Sequence, residues 1–181
     1  MTLHELLALF TSKNIEYTTA NLDEVDQNAQ LTDVASDSRE VTPGSLFVCK
    51  GASFSPAYLA SAMEAGAVAY LCQQSLAEEL QAVAPNVAAI RVDDVRLAMA
   101  FAAAGVAGHP DKKLTTIGIT GTKGKSTCSY MLRAILDGDE PYSKCGVIGG
   151  IEVFDGKDTQ PAHNTTPEAS ELWRHLKHAA D

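Results

Sequence analysis

Thr120-Gly121-Thr122-Lys123-Gly124-Lys125-Ser126-Thr127 stands between a strand-like apolar run, Leu114 to Ile119, and a helix-like run that ends near Leu136. Strand, glycine-rich turn and helix start follow one another in the order of a phosphate-binding loop. Gly121 and Gly124 let the backbone turn tightly with its N–H groups inward, and the helix start behind them adds partial positive charge where an anion can sit. Lys125 reaches the outer phosphates as a point charge, and the Ser126 hydroxyl is the expected ligand of a bound Mg²⁺. The general pattern G-x-x-x-x-G-K-[ST] asks for glycine at position 119, where this chain has Ile119, so the loop is a variant form. The plain alternative is a strand-to-helix turn that binds nothing. A Gly-Lys-Ser set right after an apolar strand and right before an amphipathic helix argues against it.

The loop fixes how the rest is read. Upstream of it, strand-like and helix-like segments alternate. Thr2 and Glu5 fit a capping box ahead of a helix carrying Leu3, Leu6, Leu7 and Phe10. Asn14 to Gln30 is polar and reads as loop. Val34 to Ser38 and Leu46 to Lys50 read as strands around the turn Thr42-Pro43-Gly44-Ser45. Ser55-Pro56 starts a helix over Ala57 to Ala65 that Gly66 stops. Val68 to Leu71 is a strand, Ser75 with Glu78 opens a helix, Val87 to Val92 is a strand, and Asp94 caps a helix over Val95 to Ala104. This alternation predicts an α/β fold: a three-layer N-terminal domain with a largely parallel sheet over residues 1–110. Gly108-His109-Pro110-Asp111 interrupts both periodicities and marks the boundary.

A second β-loop-α unit, the first part of a P-loop α/β domain, is predicted over 111–181. Cys128, Met131, Leu132, Ile135 and Leu136 recur at helical spacing, predicting a helix that packs on its sheet. Val147 to Phe154 reads as one strand, Asp155-Gly156 as a turn, and Thr166-Pro167 as the start of a last helix with Leu172, Trp173 and Leu176. A P-loop domain needs further parallel strands, so the chain is expected to hold a first domain and the opening of a second, inactive alone.

Composition narrows the functions. The 181 residues carry 45% hydrophobic side chains, enough for a core, and a formal net charge of −9 with no basic cluster, which argues against nucleic acid as a partner. Cys49, Cys72, Cys128 and Cys145 show no C-x-x-C spacing, and reduced, partly buried thiols are expected. Neither a basic-then-apolar leader nor a membrane-spanning stretch is visible, so a cytoplasmic protein without membrane contact is expected.

Gly118-Ile119-Thr120-Gly121-Thr122-Lys123-Gly124-Lys125-Ser126-Thr127 resembles the ATP loop of the Mur ligases, amide-forming enzymes that extend the peptide of the bacterial cell-wall precursor. Lys123 is a departure, since asparagine or histidine is common there in that family. Ser36-Asp37-Ser38-Arg39-Glu40-Val41-Thr42-Pro43-Gly44-Ser45-Leu46-Phe47-Val48 matches the family signature D-S-R-x-V-x-P-G-x-L-F-V. Asn164-Thr165-Thr166-Pro167 resembles the branch that adds the third residue (the MurE type) and not the branch that adds D-Ala-D-Ala (the MurF type). Physically, Ser36, Ser38 and Arg39 offer hydroxyls and a guanidinium at a strand end to the diphosphate or uracil of a nucleotide-sugar. The alternative is that Asp37 and Arg39 only tie the turn together by an ion pair. Asn164, Thr165 and Thr166 offer an amide and hydroxyls to a muramoyl-peptide, or Thr166 is a plain helix cap.

The resemblance implies a ligase that phosphorylates the free carboxylate of UDP-N-acetylmuramoyl-L-alanyl-D-glutamate with ATP and Mg²⁺, for attack by the amine of L-lysine or meso-diaminopimelate. On that reading Gly121, Thr122, Lys123, Gly124, Lys125, Ser126 and Thr127 hold ATP, with Lys125 catalytic, in a monomer. A sister ligase of the MurF or folylpolyglutamate synthase type, or a non-enzymatic nucleotide-sugar-binding module, are the other classes. Glu171, His175 and His178 share a helical face with metal-ligand residue types, although histidines on a polar face near a chain end are more often simply solvated.

Overall fold

The computed structural model describes residues 1–52, 54–140, 145–162, 164 and 166–181, with the backbone alone at Glu24. The chain divides into two compact units, Met1–Gly108 and His109–Asp181.

Unit 1 opens with α1 (Leu3–Ser12), whose start is the predicted capping box. The Thr2 hydroxyl accepts the Glu5 N–H at 3.1 Å, and the Glu5 carboxylate accepts the Thr2 N–H at 2.8 Å. The strands β1 (Tyr17–Ala20), β2 (Val34–Ala35), β3 (Leu46–Cys49), β4 (Ala69–Gln73) and β5 (Ala88–Val92) form one sheet in the order β1-β5-β4-β3-β2. Every pairing in it is parallel except β1 with β5. Parallel neighbours need crossovers, and the helices α2 (Pro56–Glu64), α3 (Ala77–Val83) and α4 (Val95–Val106) lie between or after the strands accordingly.

Strand alternation sorts the core into two layers. Phe47, Cys49, Tyr70, Cys72 and Ala89 share one cluster with Leu59 and Ala62 of α2 and Leu80 of α3. Leu46, Val48, Leu71 and Ile90 occupy the alternate positions, and α4 crosses β2 to β5 and packs on α1. The buried α4 face includes Ala98, Met99, Ala102 and Ala103, and its alanines are small enough for close approach to the sheet. Burying each large side chain such as Phe47, Leu59 or Leu80 stabilises by roughly 1.5–3 kcal/mol.

Some local readings change. Tyr17–Ala20 is a strand although Asn14 to Gln30 reads as loop, because its partner β5 supplies the ladder that two exposed threonines do not advertise. The expected strand Val34 to Ser38 ends at Ala35, and Ser38–Glu40 is a 3-10 turn. Ser55 precedes α2 but makes no cap bond, and Ser75 lies in a 3-10 turn, Gln74–Leu76, ahead of α3. Asp94 does cap α4, accepting the N–H of Arg96 at 3.0 Å and of Leu97 at 2.9 Å. Gly66 ends α2 at φ +102°, a conformation that favours glycine.

In unit 2, α5 (Lys125–Asp137) is followed by β6 (Val147–Ile148), β7 (Glu152–Phe154) and β8 (Thr159–Pro161), an antiparallel meander, and by α6 (Ala169–Ala180). The expected single strand Val147 to Phe154 bends at Gly149–Ile151 and pairs with itself, Val147 opposite Phe154 and Ile148 opposite Val153. The Asp155-Gly156 turn joins β7 to β8 as predicted. Leu114 to Ile119 is not a strand: among the described residues nothing pairs with it, and Ile117 is 57% exposed. Nor does α5 pack by its apolar stripe. Met131 and Ile135 are exposed, and the helix buries Arg133 and Asp137 instead, with the Arg133 guanidinium 4.3 Å above the Phe154 ring. α6 begins at Ala169, two residues after the expected first position at Pro167, and its N-cap is Glu168 instead of Thr166, without a side-chain cap bond.

A stacked five-stranded ladder opens only with the whole unit, whereas a three-stranded meander with exposed apolar neighbours opens locally. Hydrogen exchange should therefore show amides of β3, β4 and β5 protected at least about a hundredfold more than those of β6 to β8. Equal protection would contradict this account of the two units.

Candidate functional site: a glycine loop, a serine turn and a buried carboxylate

Residues 120–124 lead without regular structure into α5, which starts at Lys125. Gly124 sits at φ +79°, left-handed, and this one residue converts the extended approach into the helix. A side chain there would cost about 1–2 kcal/mol. The Lys125 ammonium donates to the Gly121 carbonyl at 2.8 Å, so the lysine folds back over the loop. Thr122, Lys123 and Thr127 are exposed and Ser126 is half-buried. The first N–H groups of a helix have no intrahelical acceptor, and α5 presents them beside a lysine and a hydroxyl at an open, solvent-facing turn. That donor set suits an anion with several oxygens.

The serine turn follows directly on the C-terminal end of β2. Asp37 accepts the Arg39 N–H at 3.0 Å, and the Arg39 Nε lies 2.9 and 3.1 Å from the two carboxylate oxygens. The Arg39 side chain and then its backbone N–H hold the Asp37 carboxyl down at about 2. The ion pair weighed from the sequence is thus present, and the exposed guanidinium of Arg39 is engaged in it. Ser36 and Ser38 are half-buried and make no side-chain hydrogen bond among the described residues.

Asn164 and Thr166 are exposed on the connection between β8 and α6, whereas Thr165 lies outside the described residues. Gly121 to Thr127 form one continuous loop and helix start, Ser36 to Arg39 one turn at a sheet edge, and Asn164 with Thr166 a third segment.

Sequence reasoning missed one cluster. His175 and His178 are not simply solvated: both face Asp155, which is 3% exposed. The Asp155 Oδ2 lies 2.7 Å from His178 Nδ1 and 3.5 Å from His175 Nδ1, while Oδ1 accepts the N–H of Asp158 at 3.0 Å and of Lys157 at 3.2 Å. Burial pushes this carboxyl up, but the hydrogen bonds from Asp158, His178, Lys157 and His175 outweigh it and bring it to about 2. Only the residue types on α6 signalled the cluster, because its hub lies 20 residues upstream in a turn. Among the described residues no group of His, Cys, Asp or Glu is arranged to hold a metal ion.

Elsewhere, Cys49 and Cys72 are buried and their thiols are pushed up by burial, Cys72 to about 11, which leaves them inert. A shallow cleft of about 620 Å³ lies at the β1 edge of unit 1, opposite the β2 edge that carries the serine turn. Glu16, Arg91 and Asp93 are among its lining residues. Among the described residues no helix is long and apolar enough to cross a membrane.

The Mur ligase middle domain model matches residues 119–181. The chain is 37% identical over 151 residues to a UDP-N-acetylmuramyl-tripeptide synthetase of Lactobacillus delbrueckii subsp. bulgaricus, covering 82% of this chain and 28% of that protein. It is 36% identical over 156 residues to a UDP-N-acetylmuramoyl-L-alanyl-D-glutamate--2,6-diaminopimelate ligase of Clostridioides difficile, covering 85% and 31%. The chain therefore spans about a third of the length of these curated relatives. Among solved structures, MurF from Acinetobacter baumannii matches with a TM-score of 0.56 at 18% identity, over 95% of this chain and 32% of that one. A solved UDP-N-acetylmuramoyl-L-alanyl-D-glutamate--2,6-diaminopimelate ligase gives 0.56 at 20% identity, over 90% and 34%. At such identity these two show the fold alone.

Asp155 yields a direct test of the cluster's energetics. Its folded-state value lies below the ordinary 3.8, so its stabilisation is complete above that pH and is lost as pH falls from 3.8 through about 2. The difference corresponds to about 2 kcal/mol. Trp173, the single tryptophan, lies in unit 2 and reports its unfolding. Urea melts followed by its fluorescence should show Asp155→Asn less stable by about that amount at pH 7, with the gap closing below pH 4. A gap that persisted at pH 2 would refute this origin.

Proposed function

Since the chain belongs to the Mur ligase family, we propose that it forms the nucleotide-sugar-binding domain and the ATP loop of a ligase. That ligase adds the third amino acid to UDP-N-acetylmuramoyl-L-alanyl-D-glutamate in peptidoglycan precursor synthesis. The observation that carries the reading is the loop itself. Within the segment matched by the family model, Gly124 turns the backbone into α5 and Lys125 is held over the turn at Gly121. The identity to a tripeptide synthetase, which spans most of the chain, supports the choice of branch, as does Asn164-Thr165-Thr166-Pro167. The solved structures do not separate the MurE and MurF types, because both match equally well.

The geometry fits a triphosphate substrate. In the proposed mechanism the Lys125 ammonium leaves the Gly121 carbonyl for the β- and γ-phosphate oxygens of ATP, and Gly121, Thr122, Lys123, Gly124 and Thr127 wrap the phosphates with backbone and hydroxyl donors. The Ser126 hydroxyl would hold Mg²⁺, which would supply charge neutralisation at the transferring phosphate. Ser36 and Ser38, whose hydroxyls make no hydrogen bond among the described residues, take the nucleotide end of the UDP-sugar, and Arg39 joins them only by exchanging its Asp37 partner for the diphosphate. Asn164, Thr165 and Thr166 take the muramoyl-peptide, whose free carboxylate attacks the γ-phosphate. ADP leaves, the amine of L-lysine or meso-diaminopimelate attacks the acyl phosphate, and phosphate departs as the amide forms. The enzyme is proposed to act as a cytoplasmic monomer.

In the complete ligase of which the chain is then a part, Lys125→Ala should lower turnover by a factor of about 10³ or more, since it removes a charge from the transferring phosphate. Ser38→Ala should raise KM for the UDP-substrate several-fold and leave KM for ATP unchanged. Near-normal turnover of Lys125→Ala would refute the loop assignment, and a Ser38→Ala effect on KM for ATP alone would refute the serine-turn assignment.

A further inference from the structure

Asp155 binds two parts of unit 2 to one point. Its Oδ1 closes the β7–β8 turn through the N–H groups of Lys157 and Asp158, while its Oδ2 meets the imidazoles of His175 and His178 on α6. The two histidines are one turn apart and present Nδ1 to the same oxygen, and the Nε2 of His175 lies 3.9 Å from Glu171 on its own helix. The carboxylate is almost wholly buried and the His175 side chain is 12% exposed, while His178, which makes the shorter contact, is 47% exposed, so the carboxylate end and one imidazole of this tie are packed away from solvent. Between the two tied points the chain runs through β8 and then through Asn164 and Thr166. Tying both flanks of a connection removes much of its conformational freedom.

We propose that Asp155, His175 and His178 form a positioning brace that holds Asn164 and Thr166 for the peptide end of the UDP-linked substrate; this rests on the functional reading above. None of the three touches the reacting atoms in this account. They act by fixing the flanks of the segment that does, and a loosely supported binding segment loses affinity for the ligand it orders while leaving other sites intact.

The test compares three variants in the complete ligase. His175→Leu/His178→Leu removes both imidazoles and keeps apolar volume at each position. His178→Leu removes the shorter contact alone, and His178→Asn keeps an N–H donor near the place of Nδ1. The double variant should raise KM for the UDP-dipeptide about tenfold, with KM for ATP within about twofold of the parent, while His178→Asn stays near the parent and His178→Leu falls between. Unchanged KM for ATP shows that the loop and the fold around it survive. If both KM values rise together, or neither moves, the brace has no positioning role.

Hydrogen exchange of the Asn164 and Thr166 amides separates this proposal from the functional reading. Exchange about tenfold faster in the double variant supports the brace even if the parent enzyme rejects the UDP-dipeptide, an outcome that would sink the functional reading alone. Unchanged exchange overturns the brace whatever the substrate.

Discussion

The parallel ladder of β3, β4 and β5 carries unit 1. Leu46 to Cys49 pair with Ala69 to Cys72, and Ala69 to Gln73 with Ala88 to Val92, so β4 is hydrogen-bonded on both edges and covered on both faces. Parallel pairing forces the chain to cross from one end of the sheet to the other between strands, which is why α2 and α3 stand where they do. The same pairing fixes where β2 ends. Val34 and Ala35 extend the ladder by two residues opposite Leu46 and Phe47, and the chain then turns at Ser36 to Arg39 beyond the C-terminal edge of the parallel strands. Open α/β sheets leave their ligand crevice at that edge. The serine turn is thus placed by backbone register, with the Asp37–Arg39 pair holding its shape.

Unit 2 rests on different contacts. Among the described residues its three strands are short and antiparallel, none longer than three residues. Among the described residues three buried charged groups do the positioning: Arg133 lies against Phe154 and pairs with Asp137, and Asp155 joins the hairpin turn to α6. A charged group kept from water is tolerable only with partners, so each also fixes geometry. The glycine loop sits at the start of the helix that Arg133 anchors. Its conformation depends on Gly124 and on the Lys125 contact, both local, which explains why the loop is formed although Leu114 to Ile119 finds no strand partner.

Legibility in the sequence followed the range of the interactions. The capping box at Thr2 and Glu5, the Asp94 cap, the Gly66 stop and the glycine loop are decided within a few residues, and each was readable. The largely parallel character of the sheet was readable from the alternation of strand-like and helix-like segments. β1 was not, since Thr18 and Thr19 carry no pattern and only β5 makes the segment a strand. Leu114 to Ile119 failed in the opposite sense: it has the composition of a strand and no neighbour among the described residues. The stripe on α5 failed likewise, because an apolar face predicts burial only where something covers it. Of the candidate site, the glycine turn into α5 and the Asp37–Arg39 pair were legible, but the tie from Asp155 to His175 and His178 was not. Nothing in a helix-face pattern reveals a carboxylate 20 residues away.

Product formation by the complete ligase tests the proposed activity most directly. The complete ligase would be incubated with ATP, Mg²⁺, UDP-N-acetylmuramoyl-L-alanyl-D-glutamate and either L-lysine or meso-diaminopimelate, and the UDP-linked product weighed by mass spectrometry while ADP is counted. The prediction is a product heavier than the UDP-dipeptide by one amino-acid residue, with one ADP per amide and no ADP release when the UDP-dipeptide is omitted. ATP hydrolysis that ignores the UDP-dipeptide, or amide formation only on a UDP-tripeptide with D-Ala-D-Ala, would contradict it.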